Sequence, residues 1–225
     1  MNKSIAKILW VSVFSIAMAY LEAAVVVYLR RLYGINDLML QVPPFDAQIA
    51  VIEVGREFAT LVMLLCIGWI AGNTIHSRIG FALITFGMWD IFYYIWLRVL
   101  IGWPQSMIEP DLLFLIPLPW WGPVLSPVLI ALLMVIGGTI AVVRTENNGT
   151  LKIDPWFWLS LITGVLIMLF TFMSDALKAL PADVSTLSSL KPSPFNWPVY
   201  LIGLALVVIA LWRMTARKKG QRDTD

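Results

Sequence analysis

The stretch VLSPVLIALLMVIGGTIAVV, residues 124–143, runs for twenty residues without a charged side chain. At 1.5 Å of rise per residue, an α-helix of this length measures about 30 Å, which is the thickness of a bilayer's hydrocarbon core. The stretch therefore predicts a transmembrane helix near residues 123–143.

The rest of the chain follows the same pattern. Hydropathy predicts further spans near residues 6–29, 49–71, 79–101, 156–177 and 196–213. Of the 225 residues, 60% are hydrophobic and 13% are charged, whereas a soluble domain is roughly a quarter charged. The sequence thus predicts an all-α integral membrane protein, a bundle of about six transmembrane helices whose principal partner is the lipid bilayer.

Domain organisation is simple. We expect one transmembrane domain, residues 1–213, followed by a basic tail, residues 214–225. The tail cations favour a cytoplasmic anchor beside the last helix over a nucleic-acid contact, so no nucleic-acid partner is expected. The first span continues beyond the small residues that resemble a signal-peptidase site, which favours a retained helix over a cleaved signal peptide.

Lysine and arginine counts predict the orientation. With six spans, both termini lie on one side, which carries ten of the 16 basic residues, against six on or near the other side. Positive residues favour the cytoplasmic side, so we expect a multi-pass protein of the plasma (inner) membrane with both termini in the cytoplasm. The acidic residues concentrate on the outer side, ten of 14, and the positive-inside rule does not require this.

A short apolar segment near residues 105–122 does not fit a span, because it is broken by prolines. We interpret it as a re-entrant or interfacial piece, since irregular backbone exposed to lipid is not tolerated. Its tryptophans would cap a cavity from the outer side, or would form the aromatic belt found at membrane interfaces.

Ionisable residues inside the predicted spans are the strongest functional signal, because each costs roughly 2.5–3.5 kcal/mol at the centre of a transmembrane helix. Glu22 follows a stripe of small residues on the first helix. Glu53, Arg56 and Glu57, at i, i+3 and i+4, share one face of the second helix, where an internal ion pair is expected. Asp90, near the middle of the third helix, is hard to explain by exposure to water.

Helical spacing predicts that these groups converge. Alternating helix directions place all of them in the outer half of the membrane or near its midplane. We expect one outward-facing, substrate-binding cavity formed by residues Glu22, Glu53, Arg56, Glu57, Asp90, Tyr94, Arg98 and Asp175. The structural alternative is an ion-pair cluster that orients a loop, with Asp90 paired to Arg56 or Arg98.

The histidine and cysteine content narrows the chemistry. One histidine, His76, and one cysteine, Cys66, exclude bis-histidine haem and histidine-rich metal centres, and no Ser-His or Cys-His arrangement is available in the membrane. Carboxylates alone would suit a hard cation such as Ca²⁺, Mg²⁺ or Mn²⁺, but no spacing motif supports such a site. We expect no metal and no cofactor.

Three functions compete at this point. The first is the binding or transport of a small solute or cation at the carboxylate and arginine site. The second is an intramembrane enzyme that uses a buried carboxylic acid on a lipophilic substrate. The third is a non-catalytic subunit whose charges and tryptophan-rich loops dock partner membrane subunits. Carboxylates and an arginine on several helices favour the first.

Overall fold

The computed structural model describes residues 3–32, 34, 47–114, 120–148, 151, 153–180 and 193–216. In this part of the chain six helices are long and apolar enough to cross a membrane. They are α1 Lys3–Leu32, α2 Ala47–Ala71, α3 Ile75–Ile101, α4 Leu125–Asn148, α5 Pro155–Ala179 and α6 Trp197–Ala216. The prediction of a multi-pass helical membrane protein is confirmed. Residues 217–225, most of the predicted basic tail, lie outside the described residues.

The segment between α3 and α4 adds a short element to the helical bundle. It contains an antiparallel β-hairpin of β1, Pro110–Phe114, and β2, Trp120–Pro123. The hairpin satisfies backbone groups that a short, proline-broken stretch cannot satisfy as a helix. Residues 115–119 of the predicted re-entrant piece lie outside the described residues.

Helix α3 is the centre of the bundle. It packs against α1, α2 and α4, whereas α5 and α6 form a second pair. The α3–α4 and α5–α6 contacts both depend on glycine. A Cβ added at Gly80 would lie 2.9 Å from the carbonyl oxygen of Gly138, and one added at Gly164 would lie 2.6 Å from that of Gly203. Small residues allow such close backbone approach between membrane helices.

Helix α2 is the least enclosed of the six. It packs mainly on α3, and Gly68 brings the two backbones together near the end of α2, where an added Cβ would lie 2.5 Å from the carbonyl oxygen of Arg78. Further towards its start, Val51, Ile52 and Phe58 are largely exposed, as side chains facing lipid would be.

Polar contacts define two ends of the bundle. The Lys7 ammonium donates a hydrogen bond to the carbonyl oxygen of Ala71 at 2.8 Å, and Arg213 forms a 2.8 Å ion pair with Asp154. These contacts join the start of α1, the end of α2, the start of α5 and the end of α6. We call this the terminal end. The opposite end, which carries the β-hairpin, is the far end.

Candidate functional site: a charged cavity in the far half

An ion-pair cluster joins α1 to α2. The guanidinium of Arg56 bonds both carboxylate oxygens of Glu22 and, through Nε, one oxygen of Glu53 at 2.8 Å. The side chains of Arg56 and Glu22 are 23% and 14% exposed, so the pair is largely removed from solvent. The internal ion pair predicted from the i, i+3 spacing is confirmed, and Glu22 of α1 takes part in it.

Glu57 stands at the edge of this cluster. Its carboxylate lies 3.9 Å from the nearest Arg56 nitrogen, and its side chain is 42% exposed. Arg56 forms its shorter bonds with Glu22 and Glu53, so Glu57 is the outermost of its three carboxylate neighbours. It marks the side on which the cluster is open.

A second buried acid comes from the β-hairpin. Asp111 is 5% exposed and accepts a 2.9 Å hydrogen bond from the hydroxyl of Tyr94 on α3. Burial raises the pKa of Asp111 to about 6, although the Tyr94 hydrogen bond and the positive charge of Arg30 oppose the shift. The Arg30 guanidinium itself stacks over Trp103, 4.6 Å from the ring centroid.

Asp90 lies on the α3 face that also carries Tyr94. Among the described residues it forms no hydrogen bond and no salt bridge, so the alternative in which Arg56 or Arg98 pairs with it is not realised. Arg98 instead donates hydrogen bonds to the carbonyl oxygens of Gly102 at 2.6 Å and Pro104 at 2.9 Å. Carbonyls left open at the end of α3 are the nearest acceptors for this side chain.

These groups line a cavity of about 360 Å³ in the far half of the bundle. Helices α1 to α5 and both strands contribute to it, and its surface is mostly apolar and aromatic. The charged residues that line it are Glu22, Arg56, Glu57, Asp90 and Asp111. Trp89 also lines it, and its indole N–H is buried without a hydrogen-bond partner among the described residues.

The structure therefore brings together part of the predicted set. Glu22, Arg56, Glu57, Asp90 and Tyr94 line one cavity, and Glu53 bonds Arg56 beside it. Arg98 and Asp175 are not among the residues that line it.

Asp175 lies near the end of α5 and has its own partners. Its two oxygens accept hydrogen bonds from the backbone N–H and the hydroxyl of Ser193, both at 2.7 Å, and Lys178 lies 3.7 Å away. The residues of α5 that line the cavity are instead the apolar Leu169 and Phe172.

Asp111 is the functional candidate that helix-based reasoning missed. Its only sequence signal is an acid placed immediately before the apolar run at residues 112–119. The cavity also depends on the hairpin for Leu112, Leu113 and Trp120, whose positions follow from strand pairing and not from helical spacing.

The arrangement does not resemble a metal centre. Among the described residues no group of three or more histidine, cysteine, aspartate or glutamate side chains is placed to hold a metal ion. The carboxylates of Glu22 and Glu53 are bonded by Arg56. A guanidinium between carboxylates takes the place that a cation would need.

Comparison with protein-family models, with curated proteins and with solved structures finds no match to this chain. A function must therefore be argued from the geometry and charge of the cavity.

Proposed function

We propose that this protein binds, and in its membrane setting transports, a small solute with a cationic or hydrogen-bond-donating group. The observation that carries the proposal is that Asp90 and Asp111 line one intramembrane cavity without a salt bridge among the described residues. Among the described residues, Arg56 is the one arginine that lines the cavity, and it is engaged by Glu22 and Glu53. Acidic groups therefore exceed basic groups in the space open to a ligand.

The energetic argument is direct. A carboxylate removed from water without a partner is unfavourable, and a positive or hydrogen-bond-donating ligand offsets this. Trp89, Tyr93 and Phe172 supply aromatic surface in the same cavity, and aromatic faces attract cations. The volume of about 360 Å³ is within the range of small-molecule sites, about 300–1,000 Å³.

The test compares three molecules of similar shape and different charge: 2-phenylethylamine, 2-phenylethanol and phenylacetate. We expect the purified protein to bind the cation most tightly in equilibrium titrations. Asp90→Asn should weaken binding of the amine at least tenfold, about 1.4 kcal/mol, while the melting temperature changes little because Asp90 has no arginine partner. Asp175→Asn, a carboxylate outside the cavity, is the matched control and should leave binding unchanged. Equal affinity for amine and acid, or unchanged binding in Asp90→Asn, would contradict the proposal.

A second candidate is an intramembrane enzyme that protonates a lipophilic substrate. The observation in its favour is the placement of two aspartates in one cavity, because repulsion between neighbouring carboxylates favours a protonated acid. Recovery of a bound compound chemically unchanged after prolonged incubation favours binding or transport, whereas conversion that requires Asp90 favours the enzyme.

We further propose that the protein lies in the plasma (inner) membrane with both termini in the cytoplasm, so that the cavity is in the outer half. The excess of lysine and arginine on the terminal side supports this. A cysteine placed at Thr215 should resist an impermeant thiol reagent in intact cells and react after permeabilisation. Labelling in intact cells would reverse the orientation.

A further inference from the structure

A second cavity lies beside the first and is almost wholly apolar. It has a volume of about 380 Å³ and is formed by α2, α3 and one residue of α4. Four of its lining residues are each more than half exposed: Leu65, Trp69, Ile75 and Ile79. In a membrane these exposed side chains face acyl chains. We call this second cavity the apolar groove.

The groove and the charged cavity are adjacent. Leu61, Phe86 and Met134 line both of them, so the two spaces meet at these three side chains. Along α2 the groove extends from Leu61 to Trp69, about 12 Å at 1.5 Å per residue. A ligand in the charged cavity can thus extend an apolar chain along α2 and α3.

The packing of α2 leaves this path open to the bilayer. Helix α2 packs mainly on α3 and much less on α1. At the terminal end of the groove, the Arg78 guanidinium stacks over Trp69, 4.1 Å from the ring centroid, and donates a hydrogen bond to the carbonyl oxygen of Gly72. An arginine and a tryptophan together are typical of the membrane–water interface. The groove therefore runs from that interface inwards to the charged cavity.

The geometry points to a single-chain amphiphile with a cationic head as the ligand, entering sideways from the bilayer: its head lies beside Asp90 and its chain lies in the apolar groove. This inference rests on the proposed function and names the substrate class. Charge selects the head, because acidic groups exceed basic ones among the described residues that line the cavity, and the adjacent apolar groove selects the chain. The resulting orientation, head towards the far end and chain towards the terminal end, is that of a lipid in the far leaflet.

The experiment uses the full chain in amphipol, which avoids competing detergent, and three probes: butylamine, dodecylamine and dodecanoate. Affinity for the amines should rise with chain length by about fourfold per methylene buried in the groove. Dodecanoate should bind at least tenfold more weakly than dodecylamine. Asp90→Asn should weaken both amines.

Matched variants separate the groove from the bulk hydrophobic phase. Leu65→Trp fills the groove at an exposed position and should remove most of the gain from the longer chain, while leaving butylamine unchanged. Leu83→Trp, on α3, fills the same groove from the other side and should do the same. Leu166→Trp is the control, because Leu166 is exposed on α5 and does not line the groove.

The outcomes are distinguishable. If Leu65→Trp, Leu83→Trp and Leu166→Trp behave alike, the chain lies in the bulk phase and the inference fails. If butylamine binds through Asp90 without any gain from chain length, the inference fails and the proposed function stands. If neither amine depends on Asp90, both fail. If dodecanoate binds as tightly as dodecylamine, the cationic head is wrong.

Discussion

The terminal end and the far-half cavity use the same kinds of side chain in opposite ways. At the terminal end, Glu146 accepts hydrogen bonds from the backbone and the side-chain amide of Asn73 and lies 3.4 Å from Lys7. Asp154 pairs with Arg213 and accepts from the backbone N–H of Phe157 at the start of α5. Each of these acids has a cation and an N–H group as partners.

The cavity lacks that balance. Arg56 serves Glu22 and Glu53, Asp111 has a tyrosine as its side-chain partner, and Asp90 has no partner among the described residues. Matched charges hold helix ends together, whereas unmatched charges in a membrane are unfavourable for the empty protein. Under the proposed function, a bound cationic ligand would supply the missing positive charge.

The largest loss of stability is expected when Arg56, the arginine among the described lining residues of the cavity, is replaced. Arg56→Met leaves Glu22 and Glu53 largely buried and without their cation, so the free energy of unfolding should fall by about 3 kcal/mol. Thermal unfolding in a mild detergent measures it. Adding Glu22→Gln to the variant should restore part of the loss, because one unpaired charge is then removed.

Arg213→Met at the terminal end is the matched control for this substitution. Arg213 is 38% exposed, and Asp154 keeps its bond from Phe157, so a loss of about 1 kcal/mol is expected. If the two variants lose equal stability, the contrast between matched and unmatched charge disappears.

The free energy of unfolding should also depend on pH. The pKa of Asp111 is about 6 in the folded protein against an ordinary 3.8, so the folded state binds the proton more tightly than the unfolded state. The contribution of Asp111 to the free energy of unfolding should therefore be most favourable near pH 4 and should fall as pH rises through about 6, by at most about 3 kcal/mol. The affinity for a cationic ligand should rise over the same pH range, because deprotonation restores the negative charge of Asp111.

Asp111→Asn isolates this contribution. Unfolding measured between pH 4.5 and 7.5 should depend less on pH in the variant than in the wild type. A wild-type protein that gains stability relative to Asp111→Asn as pH rises would contradict the sign.

How much of this could be predicted from sequence depends on which physical constraint acts. The bilayer fixes the length and apolar content of a span, and the six predicted spans coincide with the six helices to within about five residues, the usual precision for element boundaries. Spacing within one helix predicted the Glu53–Arg56 pair, because side chains at i and i+3 share a face of the helix.

The remaining errors concern competition between partners. Arg98 satisfies helix-end carbonyls that spacing does not reveal, and so it leaves Asp90 alone. Asp111 reaches the cavity through a hairpin segment, residues 110–123, whose sequence has no alternating pattern and contains four prolines. Neither local period predicts contacts that depend on the register of two strands against a helix.

The glycine contact of α2 has a mechanical consequence. Helices α3 and α4 meet backbone to backbone at Gly80 and Gly138, and again at Gly87, so their mutual angle is fixed along their length. Helix α2 meets α3 in this way at Gly68, near the end of α2, so a change of its tilt about Gly68 moves the start of α2 the most. A tilt of one degree about Gly68 displaces Arg56, about 18 Å along the axis, by about 0.3 Å. The width of the charged cavity thus depends on the angle between α2 and α3, and the Glu22–Arg56 bond restrains this angle at a point distant from Gly68.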